Sequence, residues 1–297
     1  MNRIIIWGHK PFHHTHSAIH YGFYRAFQYM GYETYWMDDS DDVRNFDFSN
    51  CLIFTEGQVC GKMPKRKDCK YVLHSCPKME GLGKTINIQY LTYESWKFEQ
   101  ITHGITNKDD CIYFPWGSPL LPYEFDETNI NKPRGENIYY LGTVNGPNDN
   151  GNYKNIAEFA RAAASDGKQM HVGGGYSGKT QNPDLHYIAG WISEEDQANY
   201  LTKAFMAPAI QGENTLINGM IPCRLFKALS FGNDGITNNQ LAHEFFNGVT
   251  IYNENCDELY WAAKAHSDET PRKRMLFEFV KKNHTYINNI HAILTVL

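Results

Sequence analysis

Residues 218–239 read NGMIPCRLFKALSFGNDGITNN. Leu225, Phe226, Leu229 and Phe231 recur at helical spacing with Ala228 alongside, which predicts an amphipathic helix opening near Pro222, stopping at Gly232 and running into a second apolar strand. Arg224 stands in the first turn, where the helix dipole disfavours a cation. A guanidinium placed there needs a partner, and its planar fork suits a carboxylate or a phosphate. Lys227 follows one turn later on the same face, and the N–H groups of the helix start favour an anion too. Two readings stay open at this level, a diphosphate above the helix or an ion pair with an Asp or Glu nearby.

Working outward, the chain alternates apolar strands with amphipathic helices. RIIIWG (3–8) is a strand signal, SAIHYGFYRAFQYMGY (17–32) carries Ile19, Phe23, Phe27 and Met30 at helical spacing, and ETYWM (33–37) is a second strand. This is a βαβ unit. CLIFTEG, KYVLHSC and INIQYLTY extend it into an open parallel sheet. The pattern breaks over a segment holding Pro115, Pro119, Pro122 and Pro133, then restarts with IYYLGTVNG, NIAEFARAAASDG, QMHVGGG, HYIAGWIS, EEDQANYLTKA and FMAPAIQ. The expected fold is therefore α/β, with two Rossmann-like α/β/α domains facing a central cleft at the carboxyl ends of both sheets. The expected boundaries are 1–115, a linker at 116–135, a second domain at 136–275, and a closing helix at 276–297 that returns to the first domain.

Composition narrows the function. The 297 residues carry a formal net charge of −5 without long basic runs, which disfavours a general nucleic-acid or anionic-membrane binder. The seven cysteines include no CxxC pair, and Cys60, Cys69 and Cys76 with His74 match no zinc spacing, so reduced thiols and an intracellular, cytoplasmic setting are expected. The start, MNRIIIWGHK, holds only a short apolar run, and no stretch approaches the roughly twenty apolar residues of a membrane span.

YFPWGSPLLP (113–122), YYLGTVNG (139–146), AGWIS (189–193) and IPCRLFKALSFG (221–232) occur in an order that resembles the GT-B glycosyltransferases, and is similar to nucleotide-sugar enzymes encoded by large DNA viruses of algae and protists. The resemblance implies a sugar transferase with a UDP-sugar donor, a glycan acceptor such as a viral capsid glycan, and xylose as the donor sugar. It places nucleotide contacts on Trp191, stacked on or flanking uracil, and on the backbone of Ile192; Trp191 also reads as a core aromatic. Ribose and diphosphate fall to Pro222, Arg224 and Lys227, with Gly142, Thr143 and Gly146 permitting close backbone approach. VGGGYSGKT lacks the GxxxxGK[ST] order of a phosphate-binding loop and reads as an ordinary loop.

Many retaining GT-B enzymes carry two glutamates around this helix, where this chain has Gly219 and Lys227. That departure favours inversion, in which a base in the first domain deprotonates the acceptor. Glu56 after the third strand leads the base candidates, followed by His14 and His74; His13 and His16 are expected to contact the acceptor. Adjacent His13 and His14 point apart in most backbones, so the histidine-rich loop is not read as a metal site. DDSDD (38–42) contains a DxD pattern but reads as a charged turn. No metal cofactor is expected, the leaving diphosphate being stabilised by Arg224, Lys227 and backbone dipoles. The rival readings are a catalytically silent nucleotide- or sugar-binding protein and a phage-type DNA-base glucosyltransferase, the latter wanting a basic cleft.

Overall fold

The computed structural model describes residues 3–10, 15–74, 76, 79–89, 111–113, 115–146, 151–175, 182–190, 192–267 and 269–297. The chain divides into two compact units, residues 1–121 with 285–297, and residues 122–284. The proline-rich segment at 116–135 is thus shared between them. Trp116, Ser118 and Leu121 are buried in the first unit, while Phe125 stacks edge-on against Phe277 of the second at 5.5 Å.

The first unit is a parallel sheet in the order β2-β1-β3-β4-β5-β6, made of β1 (Arg3–Trp7), β2 (Glu33–Met37), β3 (Leu52–Glu56), β4 (Lys70–His74), β5 (Lys84–Gln89) and β6 (Cys111–Tyr113). Ile4, Ile5, Ile6 and Trp7 are all fully buried, as a strand covered on both faces requires. Helix α1 (Thr15–Tyr29) buries Ile19, Phe23 and Phe27, and Phe23 packs against Phe54 of β3 at 4.5 Å. The other side of Phe23 stacks on Tyr286 at 4.6 Å. Tyr286 opens the closing helix of the chain, Tyr286–Val296, and its ring approaches Gly22 so closely that a β-carbon there would lie 2.2 Å away. The last helical residues therefore belong to the first unit, capped by Thr285 and Asn288 in a reciprocal capping box.

The second unit holds β7 (Ile138–Leu141), β8 (Met170–Gly173) and β9 (Leu185–Ala189) in the order β7-β8-β9, and a parallel pair β10 (Ile236–Thr237) and β11 (Ile251–Tyr252). Bridges Ile138↔Met206 and Ala209↔Thr237 lay the segment 206–209 between β7 and β10. FMAPAIQ is thus an extended stitch and not a full strand, because Pro208 has no N–H to donate to a ladder. Around this sheet lie α2 (Tyr153–Ser165), α3 (Glu194–Lys203), α4 (Glu213–Ile217), α5 (Cys223–Ser230), α6 (Gln240–Phe245), α7 (Cys256–Ala265) and α8 (Thr270–Asn283), and the closing helix Tyr286–Val296 is α9. Helix α5 has eight residues, too few to persist alone. It is held by Leu225, Phe226 and Leu229, which pack with Phe246, Leu276 and Val280; each such side chain contributes about 1.5–3 kcal/mol of burial. Phe231 and Gly232 (φ +71°) end it.

Candidate active site

At the carboxyl end of β7 the chain turns through Gly142, Thr143 and Val144. Asn152 pins this turn, its side chain accepting from Asn145 N–H at 2.8 Å and donating to the Thr143 carbonyl at 2.9 Å and the Tyr140 hydroxyl at 2.7 Å. Gly142 and Val144 donate to Gly173 and Gly175 at 2.8 and 2.9 Å, locking the turn to the end of β8. Gly174 sits at φ +144°, where a β-carbon would meet the Gly142 carbonyl at 2.5 Å, so the glycine run serves backbone contact between two loops.

Onto this turn α5 directs Arg224. Its guanidinium lies over the Tyr140 ring, 4.4 Å from the centroid, and a β-carbon on Gly142 would fall 2.8 Å from its central carbon. Among the described residues, Arg224 Nη1 is buried with no hydrogen-bond partner and no carboxylate stands within ion-pair distance of the side chain. Burial pushes its pKa down to about 10, which leaves it charged at neutral pH. The first turn of α5 begins at Pro222, which has no side-chain acceptor for the helix N–H groups. A half-buried cation with its Nη1 sealed from solvent, beside a glycine-rich turn and an uncapped helix start, suits an anion.

Lys227 is placed differently. Its ammonium donates to both Glu194 oxygens at 3.0 and 2.9 Å and to Gln197 Oε1 at 2.8 Å, tying α5 to α3. Gln197 also donates to the Ile192 carbonyl at 2.9 Å, and the Ile192 side chain lies over Gly173. Of the two cations on this helix, Lys227 has a carboxylate partner in Glu194, and Arg224 has none among the described residues. The segment leading into α5 is held by buried amides, with Gln211 Nε2 and Asn239 Nδ2 donating to the Met220 carbonyl at 2.8 and 2.9 Å and Asn239 donating to Gln211 at 2.7 Å.

In the first unit, Glu56 ends β3 with only 1% of its surface exposed. His9 Nε2 stands 2.8 Å from its Oε1, and His16 Nδ1 stands 2.8 Å from its Oε2. His16 belongs to the first turn of α1 and not to the preceding loop. His74, the β4 neighbour of Glu56 in register, lies edge-on to His16 at 5.0 Å and to Trp116 at 4.9 Å. His20 stacks on His9 at 6.4 Å, a position open because Gly8 has no β-carbon to strike its ring. Two imidazoles thus face one buried carboxylate, with His20 and His74 packed against them. The ligand atoms of His9, His16 and Glu56 lie within 4.8 Å of one another, a separation that also suits a metal ion.

Of the expected site residues, Glu56, His16 and His74 converge in the first unit, and Gly142, Thr143, Pro222 and Arg224 in the second. His13, His14 and Trp191 lie outside the described residues. The DDSDD aspartates are committed to structure: Asp39 accepts from Trp7 at 2.9 Å and from Gly61 and Lys62 N–H at 3.0 Å, and Asp41 pairs with Lys10 at 2.8 Å. Tyr140, Asn152 and Asn239 were not singled out in the sequence, where they read as a strand aromatic and two turn amides. His20 had a signal, since it follows His16 by one helical turn.

The fold is that of the GT-B glycosyltransferases. The chain is similar to the avilamycin A biosynthesis glycosyltransferase AviGT4 (TM-score 0.59, 12% identity, 99% of this chain and 96% of that one). It is similar too to WaaG, a glycosyltransferase involved in lipopolysaccharide biosynthesis (TM-score 0.56, 10% identity, 98% and 99%). A third likeness, at TM-score 0.59 and 7% identity over 99% and 98%, is to an alpha-glucosyltransferase solved with UDP and a 13-mer DNA containing an HMU base. No family model matches the sequence, and no curated protein is similar to it at sequence level.

Proposed function

We propose that the protein is a glycosyltransferase that takes its sugar from a UDP-linked donor and delivers it to a glycan by inversion, without a metal cofactor. The observation that carries this reading is Arg224, a half-buried cation with its Nη1 sealed from solvent, lacking a carboxylate partner among the described residues and set against Gly142 at the start of α5. It suits the donor diphosphate, whose charge rises as the bond to the sugar breaks. Glu56 is the base: it takes the acceptor hydroxyl proton as that oxygen attacks the anomeric carbon and the diphosphate leaves with the bonding electrons. His9 and His16 orient the carboxylate, and His74 lines the same end of the sheet. The first unit accordingly serves the acceptor and the second the nucleotide sugar. Gly219 and Lys227, standing where many retaining GT-B enzymes carry glutamates, support inversion.

The resemblance of the 113–232 motifs to enzymes of large DNA viruses supports the finer reading of a capsid-glycan acceptor and xylose as donor sugar, acting in the host cytoplasm. The experiment is a panel of nucleotide sugars screened by thermal shift and by release of free sugar, with and without chelator. A UDP-sugar that stabilises and is hydrolysed in EDTA supports the reading; stabilisation without hydrolysis sends the protein to the silent-binder class, and an inert panel overturns both. The likeness to the DNA-bound alpha-glucosyltransferase favours a second reading with a modified DNA base as acceptor. Against it stands the net charge of −5, since duplex binding draws on phosphate neutralisation.

A further inference from the structure

The His9, His16 and Glu56 cluster has the composition of a metal centre as well as that of a proton-accepting one. We propose that these three residues form a binding site for a divalent transition-metal ion of the zinc type, and that filling it switches off proton transfer to Glu56. The second half rests on the function proposed above; the first does not.

The donor set is two imidazole nitrogens and one carboxylate, a combination that selects zinc and its first-row neighbours over magnesium or calcium, which prefer all-oxygen shells. Three protein ligands with an open fourth position is the arrangement of exchangeable zinc sites. Geometry supports it. His9 Nε2 and His16 Nδ1 each face a different oxygen of one carboxylate at 2.8 Å, and all three ligand atoms fall within 4.8 Å of one another. Tetrahedral zinc with bonds near 2.1 Å sets ligand atoms about 3.4 Å apart, so small ring rotations open the space. The ligands come from three separate elements, the β1–α1 connection, the first turn of α1 and the end of β3, with Glu56 fixed by the sheet. Surrounding rings restrain the imidazoles, His20 stacked on His9 and His74 edge-on to His16. The Glu56 side chain is 1% exposed while His9 and His16 retain 24% and 17%, so the ion would enter from the histidine side.

Electrostatics favour occupancy. A buried carboxylate needs compensating charge, and a dication supplies it more completely than two neighbouring imidazoles, one of them hydrogen-bonded. A dication bound to Glu56 draws charge from the carboxylate and lowers its basicity toward an acceptor hydroxyl. A transferase whose chemistry needs no metal would then be inhibited by one.

The test uses the untagged full-length chain, stripped with chelator and titrated with Zn²⁺ alone by calorimetry, with Co²⁺ absorption as a second probe of coordination. One equivalent should bind, and His9→Ala or His16→Ala should each weaken it at least about tenfold, by analogy with the loss seen when a metal's supporting residues are removed. Circular dichroism checks folding; should His16→Ala misfold, the more exposed His9→Ala carries the test. Absence of one-equivalent binding, or binding equal in the folded variants, overturns the site. Zinc added to the transfer assay should abolish turnover, and EDTA should restore it. Zinc that binds at these histidines while transfer continues leaves the site standing and removes Glu56 as the proton acceptor, so the two claims fail separately.

Discussion

The guanidinium of Arg224 occupies the space that a side chain on Gly142 would need, a β-carbon there lying 2.8 Å from its central carbon and 2.8 Å from Nη2. The glycine at the end of β7 and the arginine at the start of α5 are thus a matched pair. The displaced group is the far end of a flexible side chain, but Gly142 also holds φ +159°, which an L side chain rarely adopts, so Gly142→Ala should cost about 1–3 kcal/mol of stability and leave the protein folded. It should nonetheless move the cation and weaken UDP binding about tenfold, the worth of one charge-assisted hydrogen bond. Denaturant titration and calorimetry on the same variant separate the two effects.

Glu56 and Arg224 should give opposite kinetic signatures. Glu56→Gln keeps the shape but cannot take a proton, so turnover should fall by about 10²-fold to 10⁴-fold while UDP affinity stays near wild type. Anomeric analysis of the product by NMR accompanies this measurement, and a product of retained configuration would remove the single-displacement scheme.

Lys227 should act chiefly through structure. Its bonds to Glu194 and Gln197 join α5 to α3, and the side chain is 14% exposed. Lys227→Met should lower unfolding free energy by about 1–3 kcal/mol, the range for hydrogen bonds to charged groups, and reduce UDP affinity less than Arg224→Ala does. A larger loss of UDP affinity than of stability would return Lys227 to the diphosphate.

His284 makes the second unit acid-sensitive. It is packed among Phe226, Phe245 and Phe279 at 5.7, 4.9 and 4.9 Å, and this burial pushes its pKa down to about 4. The unfolded chain binds the proton near pH 6.5, so the stabilisation is full above that value and is lost as pH falls toward 4. The loss amounts to at most about 3 kcal/mol. His284→Phe should flatten that part of the stability profile between pH 7 and 4, read by chemical denaturation at each pH.

Much of the architecture was legible because apolar period alone separates the strands of the first sheet from α1, whose Ile19, Phe23 and Phe27 are buried. Helices α4 and α6, of five and six residues, were not, since so short a span carries no periodicity. In the site, an arginine opening a core helix and a carboxylate closing an apolar strand stand out against their local preferences. Their surroundings do not. Lys227 and Glu194 are 33 residues apart, and His9 meets Glu56 only because β1 and β3 are neighbours in the sheet. Such pairings follow from topology, which pattern along a single chain does not encode.

The central claim is that Arg224 holds the diphosphate of a UDP-sugar without help from a metal. The direct measurement is calorimetric titration of UDP into wild type and Arg224→Ala, both in EDTA. Wild type should bind, and the variant should lose at least about tenfold in affinity while stability falls by only about 1 kcal/mol, since the removed cation has no carboxylate partner among the described residues and gives up its contact with the Tyr140 ring. Equal affinity in the two proteins, or wild-type binding that disappears in EDTA, would contradict the account.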